Sequence, residues 1–201
     1  MLPFRSTLVV ALLASSAPIA AQAQATGESK RPAVSLSVGA FQYNLPGSLG
    51  AFQIYLAGVG TTPVVAGRIE LPLSRFFLAE GGLAMARPEQ QFTSSTTSLD
   101  PNPQFVATTT YLIPELQLQV QAPLFAGRVA PYLGLGTGIA NDRQPSKYGG
   151  SQTTYTVSGS AGLRYWLSNR VGLRAELRDR AIGNSSQGSA HEWTLGTAWR
   201  F

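Results

Sequence analysis

The feature that most constrains this chain is a two-residue rhythm of apolar side chains that recurs along most of its length. It is clearest at the end. Between Ala190 and Phe201, the residues Trp193, Leu195, Thr197, Trp199 and Phe201 alternate with Glu192, Thr194, Gly196, Ala198 and Arg200. Successive side chains of an extended strand point to opposite faces. One face of this segment is therefore aromatic and aliphatic, and the other is small or charged.

The same rhythm sets out seven further strands, over residues 33–43, 63–72, 76–87, 108–122, 129–140, 153–167 and 170–181. An even count of eight suits an antiparallel sheet closed on itself. The connections alternate in length. Those near 73–75, 123–128 and 168–169 are short, and those at 44–62, 88–107, 141–152 and 182–189 are longer. Two places fit less smoothly. Residues 51–58 are apolar yet fall in the first long connection, where they are expected to extend a neighbouring strand or lie on a rim. Pro114 interrupts the fourth strand; lacking a ladder donor, it calls for a bulge or a strand end.

The position of the charges decides which face is which. The less apolar faces carry Arg68, Arg164, Arg174, Arg178 and Arg200, with Glu70, Glu80, Glu115, Glu176 and Glu192. The opposite faces are almost free of charge at mid-strand. A soluble barrel that holds a ligand has an apolar interior and a polar exterior. Here the apolar face would be outside, which suits a bilayer. An arginine turned to lipid at the midplane costs about 2–4 kcal/mol, so two or three misplaced ones would consume a net stability of about 5–15 kcal/mol. These ten residues are therefore expected to form a lumen charge network. The glycines at 134, 136 and 138 would make room for its arginines. Eight strands enclose a space just wide enough for side chains.

Composition agrees. Only 12% of residues are charged against 44% hydrophobic, where soluble domains carry about a quarter charged. There is no cysteine and one histidine, which removes disulfides and leaves a poor metal-ligand set. The net charge of +5 has no basic run with interleaved aromatics, so nucleic acid is not an expected partner. No phosphate-binding glycine fingerprint occurs, and no cofactor is expected.

Residues 1–25 read as a secretory signal peptide. Arg5 gives a positive start, Leu8 to Ala14 an apolar core, and Ala21-Gln22-Ala23 and Ala23-Gln24-Ala25 two cleavage patterns. Residues 26–32 read as a linker and 33–201 as the barrel.

Three stretches carry a resemblance: Pro131-Tyr132-Leu133-Gly134-Leu135-Gly136-Thr137-Gly138, Gly162-Leu163-Arg164-Tyr165 before a tight turn, and the end Trp199-Arg200-Phe201. With the signal peptide, they make the chain similar to the OmpA/OmpX-like small outer-membrane β-barrels. The resemblance implies an eight-stranded antiparallel transmembrane up-and-down barrel in the cell outer membrane of a Gram-negative-type envelope, with both termini periplasmic. It also implies recognition of the C-terminal strand by the barrel-assembly machinery. The partners expected are outer-membrane lipids and lipopolysaccharide, with the barrel a monomer. Tyr43, Phe77, Tyr155, Tyr165, Trp193, Trp199 and Phe201 are expected to form aromatic girdles at the membrane interfaces. Arg87, Arg143, Lys147 and Arg180 would stand at the external rim, where arginine suits lipopolysaccharide phosphates.

The expected role is structural or surface-interacting, without catalysis, around a lumen plugged by Arg/Glu pairs. The rivals are a lipid A-modifying enzyme and a narrow channel. His191, beside Glu192 and near Ser189, invites the enzyme reading. Alternation, however, sends His191 and Glu192 to opposite faces, and a general base must reach its proton within hydrogen-bonding distance.

Overall fold

The computed structural model describes residues 31–44, 54–56, 61–94, 104–143, 151–183 and 188–201. The signal peptide, nearly all of the linker, Lys147 and the polar run Ser95 to Ser98 lie outside these.

Eleven strands are described: β1 (Ala33–Asn44), β2 (Ile54–Leu56), β3 (Thr61–Pro72), β4 (Phe77–Ala86), β5 (Glu89–Ser94), β6 (Gln104–Thr108), β7 (Thr110–Gln121), β8 (Val129–Arg143), β9 (Ser151–Trp166), β10 (Val171–Ile182) and β11 (Ser189–Arg200). Eight close a barrel in the order β1-β11-β10-β9-β8-β7-β4-β3, and β2-β5-β6 form a separate small sheet. Each barrel strand is antiparallel to both neighbours. Closure leaves the barrel without an edge strand. The start of β1, the end of β11 and the three tight turns share one end, here called the terminal end. The other is the loop end.

The register fixes the barrel's shape. Tyr43 pairs with Ala190, Ala190 with Arg180, Arg180 with Ser158, and Ser158 with Gly136. The path continues through Gln117, Glu80 and Glu70, and returns to β1 at Ala33, ten residues below its start. At ~3.3 Å per residue and ~4.8 Å between strands, that offset tilts the strands by about 40°.

Two tight turns are built alike. In the first, Ser74 Oγ accepts from the backbone N–H of Phe76 at 3.2 Å and Phe77 at 3.1 Å. In the third, Ser168 Oγ accepts from Arg170 at 3.3 Å and Val171 at 3.1 Å. The serine hydroxyl satisfies donors that the ladder leaves behind, as serines in turns do. The middle turn is different: Phe125 and Ala126 take positive φ of 51° and 56°. That left-handed conformation costs a residue with a side chain about 1–2 kcal/mol.

Three sequence expectations are corrected. Pro114 makes no bulge and ends no strand. It pairs with Leu83 in an unbroken β4–β7 register, and only the pairing of Ile113 and Pro114 with β8 is interrupted. Of residues 51–58, Ile54–Leu56 are described, and they form a strand that pairs with Ser94, Thr93 and Phe92 of β5. Within the long connection 88–107, the described residues Glu89–Ser94 and Gln104–Thr108 are strands rather than loop. The β4–β7 pairing Ala86↔Tyr111 continues as Glu89↔Thr108 in β5–β6, with the amide of Thr109 donating to the carbonyl of Pro88 at 3.1 Å. The hairpin passes Pro88 and rises beyond the barrel. A ladder that is already paired extends at little entropic cost, which overrides the polar composition of the segment.

Candidate functional site: a buried charge network

Alternation and closure together fill the lumen. Side chains that share a rung share a face, so charges from six strands converge. β10 contributes Arg174, Glu176, Arg178 and Arg180; β3 gives Arg68 and Glu70; β4 gives Glu80, β7 Glu115, β9 Arg164 and β11 Glu192. All ten are buried. An unpaired buried ion costs several kcal/mol, so the equality of five arginines and five glutamates is a condition for the fold.

The pairing is continuous. At the loop end, Arg180 meets Glu115 at 3.0 Å and also Glu192, which takes Arg68 at 2.8 Å. Arg178 reaches Glu115 at 2.6 Å, Glu80 at 2.9 Å and Glu176 at 2.9 Å. Arg174 reaches Glu70 and Glu80 at 2.6 Å each, and Glu176 at 2.5 Å. Arg164 meets Glu70 at 3.0 Å and lies over the Tyr132 ring, 3.9 Å from its centre. Every glutamate faces at least two arginines. Neutral groups add further hydrogen bonds, although Arg164 Nη1 is left without a partner. Tyr132 donates to Glu176 at 2.6 Å and accepts from Arg174 at 2.9 Å, Ser158 donates to Glu115 at 2.6 Å, and Gln119 donates to Glu80 at 2.8 Å.

Apolar layers close both sides of the network. Towards the loop end, Phe41, Tyr43, Val64, Tyr111, Ile113 and Ile182 pack with alanines. The Tyr43 and Tyr111 rings are 5.2 Å apart, and those of Phe41 and Tyr111 6.1 Å apart. Towards the terminal end, Trp166 packs with Ala33 and Ala198, and the Arg200 guanidinium lies 3.4 Å from the centre of the Trp166 ring. A cation over indole is a favourable contact, worth more where water is excluded.

Nine of the ten expected lumen residues fall in the network: Arg68, Glu70, Glu80, Glu115, Arg164, Arg174, Glu176, Arg178 and Glu192. The tenth, Arg200, points inward but lies on Trp166 below the network. Its place among the five cations is taken by Arg180, which was expected at the external rim. The alternation of β10 runs two residues further inside than the strand's apolar pattern suggests, so Arg180 is fully enclosed. Tyr43 is corrected likewise. It shares the inward face of Ser35, Ser37 and Phe41, and caps the lumen instead of meeting an interface. The glycines of β8 make room for glutamine, glutamate and serine rather than arginine. A side-chain carbon at Gly134 would stand 2.6 Å from Gln117 and 2.7 Å from Ser160, and one at Gly136 would stand 2.8 Å from Glu115 and Ser158.

The outer wall is apolar, with Leu116, Leu135 and Leu195 among its most exposed side chains. Phe77, Tyr155, Tyr165, Trp193, Trp199 and Phe201 stand on it. Tyr155 and Tyr165 lie ten residues apart on β9, a height of about 25 Å at this tilt, which matches the apolar band of outer-membrane barrels. Trp193 is about 15 Å above Trp199 by the same rise, within the band and short of its upper edge. At the loop end, Arg87 and Arg143 are exposed. His191 also faces outward, away from Glu192. Its Nδ1 lies 3.0 Å from Asp179 Oδ1 on β10, a partner that only the register brings to it. Among the described residues no group of His, Cys, Asp or Glu could hold a metal.

An antiparallel barrel that is apolar outside and ionic inside is a transmembrane β-barrel. The model of the outer membrane protein β-barrel domain matches residues 8–201, and the chain belongs to that family. It is similar in structure to OprG from Pseudomonas aeruginosa, with a TM-score of 0.55 at 14% identity, covering 85% of this chain and 96% of that one. It is also similar to Ail, the attachment invasion locus protein of Yersinia pestis, with a TM-score of 0.52 at 15% identity, covering 85% and 99%. Neisserial surface protein A gives 0.51 at 14%, covering 85% and 97%. No curated protein matches the chain. The protein is an outer-membrane barrel, as the sequence reading expected.

Proposed function

We propose that this protein is a non-conducting, non-catalytic outer-membrane barrel that acts through the surface it raises above the membrane. The observation that carries this reading is the double closure of the lumen, with a charge-balanced network in the middle and an aromatic cap over it. A conducting path needs hydrated space, and an eight-stranded barrel has only enough room for side chains. The sheet β2-β5-β6 extends the wall outward from the loop end and offers a paired scaffold for contacts with lipopolysaccharide or a surface partner. Arg87, Arg143 and Lys147 are the cations proposed for lipopolysaccharide phosphates. In this reading residues 1–25 are removed on export, the termini are periplasmic, and the barrel is monomeric and delivered by the barrel-assembly machinery through β11.

The test is conductance. The purified, folded barrel in a planar bilayer stays electrically silent across the accessible voltage range; discrete openings would overturn the plugged reading. The absence of catalysis is checked on the same material. Lipid A incubated with the barrel keeps its acylation pattern by mass spectrometry, whereas a change abolished by His191→Ala would replace this reading with that of an enzyme.

A further inference from the structure

The terminal end of the barrel carries a charge pattern that neither the lumen nor the loop surface uses. Four chain positions meet this rim, each two strands from the next around the closed sheet: the β3–β4 turn, the β7–β8 turn, the β9–β10 turn and the lead into β1. Each holds an arginine: Arg75, Arg128, Arg170 and Arg31. Arg31, Arg128 and Arg170 are exposed, and Arg75 is half-buried with its guanidinium 5.3 Å from the centre of the Phe76 ring. The turns that carry Arg128 and Arg170 hold no acidic side chain. Five of the acids are in the lumen network, and Glu89, Asp142 and Asp179 lie towards the loop end.

Each turn also presents a large apolar side chain to the outside. These are Leu73 and Phe76 in the first, Phe125 in the second, 78% exposed, and Leu167 in the third. In the middle turn the exposed Phe125 is held in a left-handed conformation, so a costly backbone displays a side chain that stays largely uncovered. A water-facing turn has no use for such a residue. A turn at the lower edge of the apolar band does, because the ring enters the acyl boundary while the neighbouring arginine reaches the phosphates.

We propose that this rim is a collar for anionic phospholipid. Arg31, Arg75, Arg128 and Arg170 hold headgroup phosphates of the leaflet at the terminal end, and Phe76, Phe125 and Leu167 anchor the turns beneath them. Guanidinium pairs with phosphate oxygens in bidentate geometry. Its position just below Tyr165, Phe77 and Trp199 sets it at headgroup depth. An arginine near an anionic surface is worth roughly a fivefold gain in association. The proposal rests on the membrane placement of the barrel but on neither its orientation nor its surface role.

The test uses the folded chain in vesicles of phosphatidylcholine containing about a quarter phosphatidylglycerol, which makes the surface anionic. Bromine is placed on the chains of one lipid or the other. Trp193→Phe removes the higher tryptophan of the outer wall, so Trp199 is the one lipid-facing tryptophan left near the rim, over a background from Trp166, which is buried in the lumen. Brominated phosphatidylglycerol is expected to quench Trp199 more than brominated phosphatidylcholine, with a relative association of roughly fivefold. The preference should fall towards unity in Arg128→Gln/Arg170→Gln and in high salt, where exposed pairs are screened. Equal quenching by both lipids, or a preference that survives both the double variant and high salt, overturns the collar. A shift of the unboiled band on SDS gels, unchanged in the variant, shows that the barrel is folded. Loss of that shift in the parent would instead strike at the membrane barrel itself.

Discussion

Arg174→Met should be among the most damaging single substitutions in the lumen, and its cost can be worked from the contacts it makes. The side chain of Arg174 is wholly enclosed and meets three carboxylates: Glu70 and Glu80 at 2.6 Å each and Glu176 at 2.5 Å. It also donates to the hydroxyl of Tyr132 at 2.9 Å. Methionine fills most of the volume but leaves four arginines against five glutamates. Glu70 keeps Arg164, Glu80 keeps Arg178, and Glu176 keeps Arg68 and Arg178, so no carboxylate loses every partner. The charge enclosed by the buried network nevertheless becomes −1. Removing one member of a buried pair costs about 3–5 kcal/mol, a large part of a typical net stability of about 5–15 kcal/mol. Adding Glu176→Gln restores the balance at four of each sign. The glutamine carbonyl can still accept from Tyr132 and Arg178. The double variant should therefore recover at least about 1.5 kcal/mol relative to the sum of the single effects, within the coupling range of residues in contact. Urea titrations of the barrel in vesicles, followed by tryptophan fluorescence, give both quantities from the midpoint at constant slope. A cost below about 1 kcal/mol for Arg174→Met, or strict additivity in the double variant, would refute the claim that charge balance holds the lumen together.

Two further substitutions probe the wall. Leu135 is 76% exposed on the outside, and Leu135→Arg should cost about 2–4 kcal/mol in a bilayer, where a solvent-facing site would lose at most about 0.5 kcal/mol. Urea midpoints in vesicles decide between them. Gly162→Ala places a side-chain carbon against the Tyr132 phenol and 2.6 Å from the carbonyl of Ala175, whereas a carbon at Gly159 meets nothing within 4 Å. The first should therefore cost about 1–3 kcal/mol by overpacking and the second should be neutral, a contrast read in the same titrations.

The membrane character, the eight barrel strands and most of the lumen were legible because they follow from local rules, whereas β2, β5 and β6 were not. Period-two alternation needs only the geometry of one strand, and charge gathered on one face needs only the cost of turning it to lipid. Phe77, Tyr155, Tyr165 and Trp199 could be placed on the outer wall for the same reason. Where local pattern ran out, the reading erred. Arg180 looked like a rim residue because strand ends are not marked in sequence. Tyr43 looked like a girdle aromatic because aromatics serve either face of a strand. Pro114 looked like a break, although a ladder can carry one missing donor when its register is held on the other side.

Tertiary structure alone decided who meets whom. The offset of ten residues around the barrel sets Arg68 against Glu192, which is 124 positions away in the chain, and Arg174 against Glu70. No strand contains the information that makes those pairs, because the offset belongs to the closed ring and not to any one of its members. The β10–β11 register sets His191 beside Asp179, and closure makes one arginine from each turn part of a single rim. The sequence by itself determined that the chain would be a barrel turned inside out, since an apolar face must meet lipid and a charged face must not. Only the closed sheet decided that the charges would cancel in place, leaving the lumen sealed and setting Arg31, Arg75, Arg128 and Arg170 on one rim at the end where the chain begins and ends its strands.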